Sequence, residues 1–406
     1  MPARPLIQIS VPAGPDGVTA LTTPLRAALN GTGPAIAPIP VVTAATSTEY
    51  VSHLLLATKP EDPATPLESD DVAVVLATSG STQRPKGVLH SAATLQALSR
   101  AVQGDANPQW IAALPLTSMG GFNVLLRAAE TELDAIGLDS LGGLQPFTTE
   151  NFAEAVRSAL TRSPDVRVSL VAAQVRRLLG DSQGIEALQA CNQILVGGGP
   201  LPASTAQSAS SASIALTTTY GATETAGGCV YNSVPLPGVE ITIDAQTNEI
   251  ILTGAMVALG YRDEPAITAE RFFGRSYRTG DLGTYSDHLV INGRSDDVIT
   301  INGVNISLNA IEECINNIAS VHACAVVARL GVNDELELYA AISLQDSAAP
   351  ESETLTELRT AIHTELGKAA VPRHVTFLAS LPLLPNNKIN RQAITQLTHD
   401  GALWQR

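Results

Sequence analysis

The stretch ATSGSTQRPKGVLHS, residues 77–91, follows the apolar run VAVVL and gathers hydroxyls, glycines and a lysine. Thr78, Ser79, Ser81 and Thr82, with the backbone amides that Gly80 frees, make a nest of donors suited to a polyphosphate. Lys86 adds a point charge. A Walker loop needs G-x-x-x-x-G-K-[ST] between a strand and a helix. Here Pro85 stands where the second glycine belongs, and Gly87 where the hydroxyl belongs. The stretch is not a Walker loop. Taken alone, it fits a phosphate-binding loop and a Ser/Thr turn ahead of a helix equally well.

The elements around it are legible. VAVVLAT (72–78) is short, β-branched and ended by Ser-Gly, which predicts a buried strand leading into the loop. LIQISV predicts an earlier strand, followed by an Ala/Leu helix and Pro-rich turns. TLQALSRAVQ reads as a helix and WIAAL as a strand; NFAEAVRSAL, RVSLVAA, QVRRLL and NQILVGGG continue the alternation. Strands interleaved with helices predict an α/β protein with largely parallel sheets. After about residue 230 the character changes. GVEITIDAQTNEIILTG and GTYSDHLVINGR each predict a hairpin. SLNAIEECINNI, ACAVVARL, ELYAAISL and ETLTELRTAIHTEL predict a small helix–strand–strand–helix domain. GRSDD at 293–297 is the expected linker, dividing the chain into residues 1–293 and 294–406.

Bulk composition sets outer limits. The 406 residues suggest two or three domains. With 45% hydrophobic and 16% charged residues the chain is globular rather than disordered. Acidic residues outnumber basic ones 39 to 24, for a net charge of −15, which excludes a nucleic-acid partner. Small anions can still bind where positive groups converge. Cys191, Cys229, Cys314 and Cys324 form no CxxC pair and accompany no zinc-spaced histidines, so they read as buried apolar side chains. The first residues lack a signal-peptide pattern, and no segment approaches the roughly 20 apolar residues of a membrane span. The expectation is a cytoplasmic protein without membrane insertion.

Five stretches, in this order, resemble motifs of the adenylate-forming superfamily, which holds acyl-CoA synthetases, luciferases and peptide-synthetase adenylation domains. They are residues 77–91, TTYGATETAGG, YRTGDLG, INGRSDDVITINGVNIS and LPNNKINR. The resemblance implies a large N-terminal domain of α/β sheets plus a β-rich subdomain, with a small mobile α/β C-terminal domain. It implies that a carboxylate attacks the α-phosphate of ATP to give an acyl-adenylate, from which a thiol then displaces AMP. Thr78, Ser79, Gly80, Ser81, Thr82 and Lys86 would hold phosphates. Tyr220, beside Gly221, would stack on adenine, and Thr223 would donate to the α-phosphate. Glu224 would hold Mg²⁺, a cation that takes oxygen ligands and bridges phosphates. Asp281 would accept both ribose hydroxyls, with Arg294 beside it, and Gly198 and Gly199 would line the nucleotide side. Lys388 would be the catalytic lysine between carboxylate and α-phosphate. Asp296 occupies the hinge about which the C-terminal domain rotates between half-reactions. Coenzyme A is the expected thiol, an external carrier protein the alternative. Members of the family often form homodimers.

Little sequence precedes the phosphate stretch, as in short members such as the o-succinylbenzoate–CoA ligases of menaquinone biosynthesis. ILVGGGPLP (194–202), GGCVYNSVPLPGVEI (227–241) and LPLTSMGGFNVLLRA (114–128) resemble stretches of those enzymes. Their substrate carries two carboxylates, one activated and one needing a partner. Ser118, Gly121 and Gly197 would line its pocket, with Phe122 and Tyr231 as walls. Arg127 would meet the second carboxylate; an arginine snorkelling off its helix is the alternative. Gln83, Ser118 and Asn387 depart from the family's usual Gly or Ser, His and Gly, leaving every charged catalytic group in place. The expected protein is an AMP-forming acid–CoA ligase using ATP, Mg²⁺ and coenzyme A, with o-succinylbenzoate as substrate. The alternatives are another aryl or fatty acid, and a homologue that binds ATP or acyl groups without catalysis.

Overall fold

The computed structural model describes residues 4–78, 85–103, 107–295, 298–301, 304–330, 336–345, 350–383, 389–398 and 404. A seven-stranded sheet runs in the order Val234–Pro235, Gly227–Tyr231, Leu216–Ala222, Gln193–Val196, Val166–Leu170, Gln109–Ala112, Ile136–Gly137. From Ile136–Gly137 to Leu216–Ala222 every pairing is parallel; the last two strands return antiparallel. Parallel neighbours need crossovers, and helices Met119–Ala129, Thr149–Leu160, Ala172–Leu179, Ser182–Gln189 and Ala203–Ser211 supply them. Strand Gln193–Val196 is covered on both faces: Ile194 and Val196 are buried in one apolar cluster and Leu195 in another.

A second sheet orders Leu6–Val11, Ala35–Pro40, Val72–Ala77, Gly87–Ser91 and Gly260–Tyr261. Its first three strands are parallel, but Gly87–Ser91 returns antiparallel, with Ala77 opposite Gly87. The stretch that opened the sequence reading is therefore a hairpin connection. Helix Ala92–Gln103 begins only after the return strand. The strand Ala35–Pro40 falls where Pro-rich turns were expected. Pro38 and Pro40 pair along Leu6–Val11, while Val72–Ala77 meets this strand at Ile36, so the missing N–H groups fall beyond that second pairing.

Both predicted hairpins form in a β-rich sheet of Val239–Ile243, Glu249–Gly254, Ser276–Tyr285 and Phe272–Phe273, with Leu289–Arg294 paired to Ser276–Tyr285. Helix Leu308–Asn316, strands Val321–Leu330, Leu336–Leu344 and His374–Phe377, and helix Glu351–Leu366 follow. Ile311, Ile315, Val326, Ile342, Leu358 and Ile362 form their core. Each buried apolar cluster among the described residues lies wholly before residue 290 or wholly after 298. The architecture is mixed α/β, with a large N-terminal part, a β-rich subdomain and a small C-terminal part, as the resemblance implied.

Candidate active site

A cavity of about 2730 Å³ is lined from both the large and the small part. Thr78 and Lys86 line it from the hairpin. The Thr78 amide donates to the Lys86 carbonyl at 2.8 Å, and the Lys86 amide donates to Thr78 Oγ1 at 3.1 Å. These bonds close the base of the phosphate stretch. Ser79, Gly80, Ser81 and Thr82, and the departure at Gln83, lie outside the described residues. Lys86 Nζ stands 5.2 Å from the centre of the Tyr261 ring.

Gly197, Gly198 and Gly199 line the cavity where strand Gln193–Val196 ends. A Cβ on Gly197 would stand 2.5 Å from Thr219 Oγ1 on the neighbouring strand, and Gly198 has φ +84°. The glycines let the chain turn at the end of this central strand without filling the cavity.

The adjacent strand Leu216–Ala222 runs into a single 3₁₀ turn, Thr223–Thr225. Gly221, Ala222 and Thr223 line the cavity. Glu224 is buried, and its Oε1 accepts from the Tyr261 hydroxyl at 2.7 Å. The Tyr277 hydroxyl stands 3.5 Å from that of Tyr261. Burial first, and then the Glu224 charge, push both phenols well above their usual range, so both remain donors. A single oriented carboxylate is the kind of group that Mg²⁺ carried on phosphates takes, but Glu224 does not itself line the cavity.

Tyr220, on the same strand, donates its hydroxyl to Asp281 Oδ2 at 2.7 Å. Arg294 Nη1 donates to Asp281 Oδ1 at 3.0 Å. Asp281 and Arg294 are register partners on Ser276–Tyr285 and Leu289–Arg294, so one hairpin presents both. Asp281 thus sits between a phenol and a guanidinium.

Sequence reasoning missed His90, which is fully buried on the return strand with the Thr223 backbone beside its ring. Burial lowers its pKa to about 4, so it is neutral near pH 7, and its Nε2 has no hydrogen-bond partner among the described residues. It also missed Tyr261, which reaches Glu224 from the second sheet, and Tyr277, which stands beside Tyr261 on the β-rich sheet.

Helix Met119–Ala129 forms the opposite wall. Ser118 sits at its N-cap, lines the cavity and donates Oγ to the Pro115 carbonyl at 2.7 Å. Gly121 does not take the pocket place expected of it. A Cβ there would overlap the Leu114 and Pro115 carbonyl oxygens, so glycine lets the helix press on its own lead-in. Phe122 is no wall either; it is fully buried in the core. Tyr231 does line the cavity. Asn123 Nδ2 donates to the Ala226 carbonyl at 2.8 Å and ties the helix to the turn beyond Glu224.

Arg127 lines the cavity yet is only 3% exposed, which removes the snorkelling alternative. Its guanidinium lies 5.0 Å from the Trp110 ring centre, and Nη2 donates to the Tyr231 hydroxyl at 3.3 Å. Its Nε has no hydrogen-bond partner among the described residues.

Asp296, Lys388 and Asn387 lie outside the described residues. The flanks of the lysine segment are described: Leu383 and Ile389 bridge antiparallel, and the Asn390 amide donates to the Pro382 carbonyl at 2.8 Å. Arg391 then forks onto Glu312, with Nη2 to Oε2 at 2.7 Å and Nη1 to Oε1, and also donates to the Val326 carbonyl at 3.0 Å.

With this arrangement in place, the family can be stated. Residues 25–261 match the model of the AMP-binding enzymes, and residues 310–388 that of the AMP-binding enzyme C-terminal domain. The chain belongs to this family of adenylate-forming acid–CoA ligases. It is 32% identical over 400 residues to a probable 2-succinylbenzoate–CoA ligase of Mycobacterium tuberculosis, covering 96% of this chain and 97% of the relative. Its fold matches an amide bond synthetase of Marinactinospora thermotolerans at TM-score 0.76 and 23% identity, over 98% of this chain and 90% of that one. It also matches the o-succinylbenzoate CoA synthetase of Bacillus subtilis at TM-score 0.71 and 20% identity, over 97% and 88%. No helix among the described residues is long and apolar enough to cross a membrane.

Proposed function

We propose that the protein is an AMP-forming acid–CoA ligase that converts o-succinylbenzoate to o-succinylbenzoyl-CoA for menaquinone biosynthesis. A carboxylate oxygen of the acid attacks the α-phosphorus of ATP, and the bond to the bridging oxygen breaks, releasing pyrophosphate. The thiol sulfur of coenzyme A then attacks the acyl carbonyl; the bond to the adenylate oxygen breaks, AMP leaves, and the thiol proton passes to solvent. Two anions must meet in the first step, so positioning and fixed positive groups carry the catalysis.

In this reading Lys86 and the hydroxyls of residues 78–82 hold the phosphates, with Gly198 and Gly199 allowing close approach. Tyr220 and Gly221 flank the adenine, and Asp281, oriented by Tyr220 and Arg294, accepts the ribose hydroxyls. Thr223 donates to the α-phosphate, and Lys388 lies between the two reacting anions. Glu224 would hold Mg²⁺, which neutralises phosphate oxygens when bound. Asp296 is the hinge, and the two domains are residues 1–293 and 294–406.

The observation that carries the reading is the lining of one cavity, although Tyr220, Glu224, Asp281 and Arg294 do not themselves line it. Thr78, Lys86, Gly198 and Thr223 line it on one side, with Ser118 and Arg127 on the helix opposite. Near-full-length similarity to a probable 2-succinylbenzoate–CoA ligase supports the choice of acid. The test is exchange of labelled pyrophosphate into ATP without coenzyme A. Exchange that depends on o-succinylbenzoate is expected; none with this acid would overturn the reading.

A further inference from the structure

Tyr261 touches two groups of the candidate site from the two ends of one side chain. Its hydroxyl donates to Glu224 Oε1 at 2.7 Å, and its ring takes the Lys86 ammonium 5.2 Å from the ring centre. Lys86 lines the cavity, whereas Tyr261 stands behind it, 4% exposed. No carboxylate among the described residues forms an ion pair with Lys86, so the ring is the contact that orients its ammonium.

The placement follows from strand register. Tyr261 lies directly opposite Val88 on the antiparallel return strand, and Lys86 precedes Val88 by two residues. Side chains two apart share a face, so Lys86 is the diagonal neighbour of Tyr261, within reach of an aromatic ring. The Leu259 amide donates to the Leu89 carbonyl at 2.8 Å and the Arg262 amide to the Gly87 carbonyl at 2.7 Å, which pins that register. The Ala258 amide donates to the Glu224 carbonyl at 2.8 Å. Residues 258–262 therefore bond both the strand after Lys86 and the turn that carries Thr223 and Glu224. Phe272 braces the Tyr261 ring edge-on, with ring centres 5.2 Å apart.

We infer that Tyr261 is a positioning residue of the nucleotide site: its ring aims the Lys86 ammonium at the polyphosphate, and its hydroxyl holds the Thr223–Thr225 turn through Glu224. The part given to Lys86 rests on the proposed ligase reading. A lysine loses rotamer freedom on meeting a ligand, and a ring that already restrains it lowers that cost. Cation–π attraction does this without neutralising the charge, as a carboxylate partner would. The bond from phenol to carboxylate is charge-assisted, which keeps turn and lysine in one fixed relation. One side chain thereby couples the hairpin of the second sheet to the turn that ends strand Leu216–Ala222 of the seven-stranded sheet.

The test is equilibrium dialysis of labelled ATP and of labelled adenosine, with EDTA present so that no divalent cation takes part. Lys86→Met should raise the Kd for ATP about tenfold and Tyr261→Leu about fivefold. Adenosine, which has no phosphate, should bind every variant within about twofold of wild type. Adding Tyr261→Leu to Lys86→Met should cost less than about twofold more, because the ring acts through the lysine. Tyr261→Met, a side chain that fills irregular gaps, repeats the test with a second apolar replacement. Tyr261→Phe keeps the ring. Its Kd for ATP should stay within about twofold, while pyrophosphate exchange at saturating ATP slows about tenfold through the lost bond to Glu224. Unchanged ATP affinity in Tyr261→Leu and Tyr261→Met, or equal losses of ATP and adenosine, would make Tyr261 a structural tyrosine and overturn the inference. Tyr261→Phe matching Tyr261→Leu in ATP binding would overturn it as well. The expected binding pattern in a protein that exchanges no pyrophosphate would uphold the ring's role and reject the ligase. Exchange without that pattern would uphold the ligase and reject the role.

Discussion

Tyr220 donates its hydroxyl to one oxygen of Asp281 at 2.7 Å, and Arg294 donates to the other at 3.0 Å. The carboxylate is thus fixed from two sides by residues of two different sheets. Burial and the nearby Asp281 charge both keep the Tyr220 phenol protonated, so it acts only as a donor to the anion. Asp281→Asn should raise the KM for ATP by about 10- to 100-fold, the effect of losing hydrogen bonds to a charged group. Tyr220→Phe, which removes one orienting bond, should raise it by less than tenfold. Steady-state kinetics with varied ATP at saturating acid measure both.

His90 makes a prediction about acid. Its pKa is about 4 in the folded protein against 6.5 for the free side chain. The unfolded chain therefore takes up the proton first as pH falls. Stability is fully present above pH 6.5, declines toward pH 4, and levels off below, for a loss of about 3 kcal/mol. His90→Gln removes that titration. Urea unfolding at pH 7.5 and 4.5 should show wild type losing more on acidification than the variant, by about 2–3 kcal/mol.

Gly221 pairs with Gly228 across the strands that carry Tyr220 and the turn to Glu224, and a Cβ there would overlap the Gly227 carbonyl oxygen. Gly221→Ala should destabilise by about 1–3 kcal/mol or more, because one of the two strands must move. Gly199, where a Cβ meets nothing within 4 Å, is the control. Gly199→Ala should leave Tm within a degree or two while Gly221→Ala lowers it by several.

The Glu312–Arg391 fork stands at the far flank of the lysine segment. Glu312 is 7% exposed and its Oε1 also accepts from the Val326 amide at 2.7 Å. Arg391→Met strands that carboxylate and should cost about 3 kcal/mol. Glu312→Leu combined with Arg391→Met should recover most of the loss, since an apolar pair has no desolvation to offset. Denaturant titration of these two variants beside Glu312→Leu alone checks the non-additivity.

Much of this was legible because it is local. The hairpins about QTNE and SDH, the α/β alternation and the motif residues all depend on neighbours in sequence, and each strand or helix read from the pattern is present. What stayed hidden depends on contacts at long range. Arg127 reads the same in sequence whether it snorkels or lies buried; Tyr231, 104 residues away, and Trp110 decide it. Tyr261 reaches Glu224 across 37 residues. Gly87–Ser91 was concealed because GVLHS is too short for its alternation to register, and it passes straight into a helix. Gly121 misled because a glycine in a pocket helix can serve the pocket or the packing behind it.

The most direct measurement is AMP and acyl-CoA formation from ATP, Mg²⁺ and coenzyme A with o-succinylbenzoate, run beside benzoate and a medium-chain fatty acid. The account predicts equal amounts of AMP and o-succinylbenzoyl-CoA, with little product from the other two acids. Turnover of benzoate or the fatty acid in preference to o-succinylbenzoate, or AMP formation from none of the three, would contradict it.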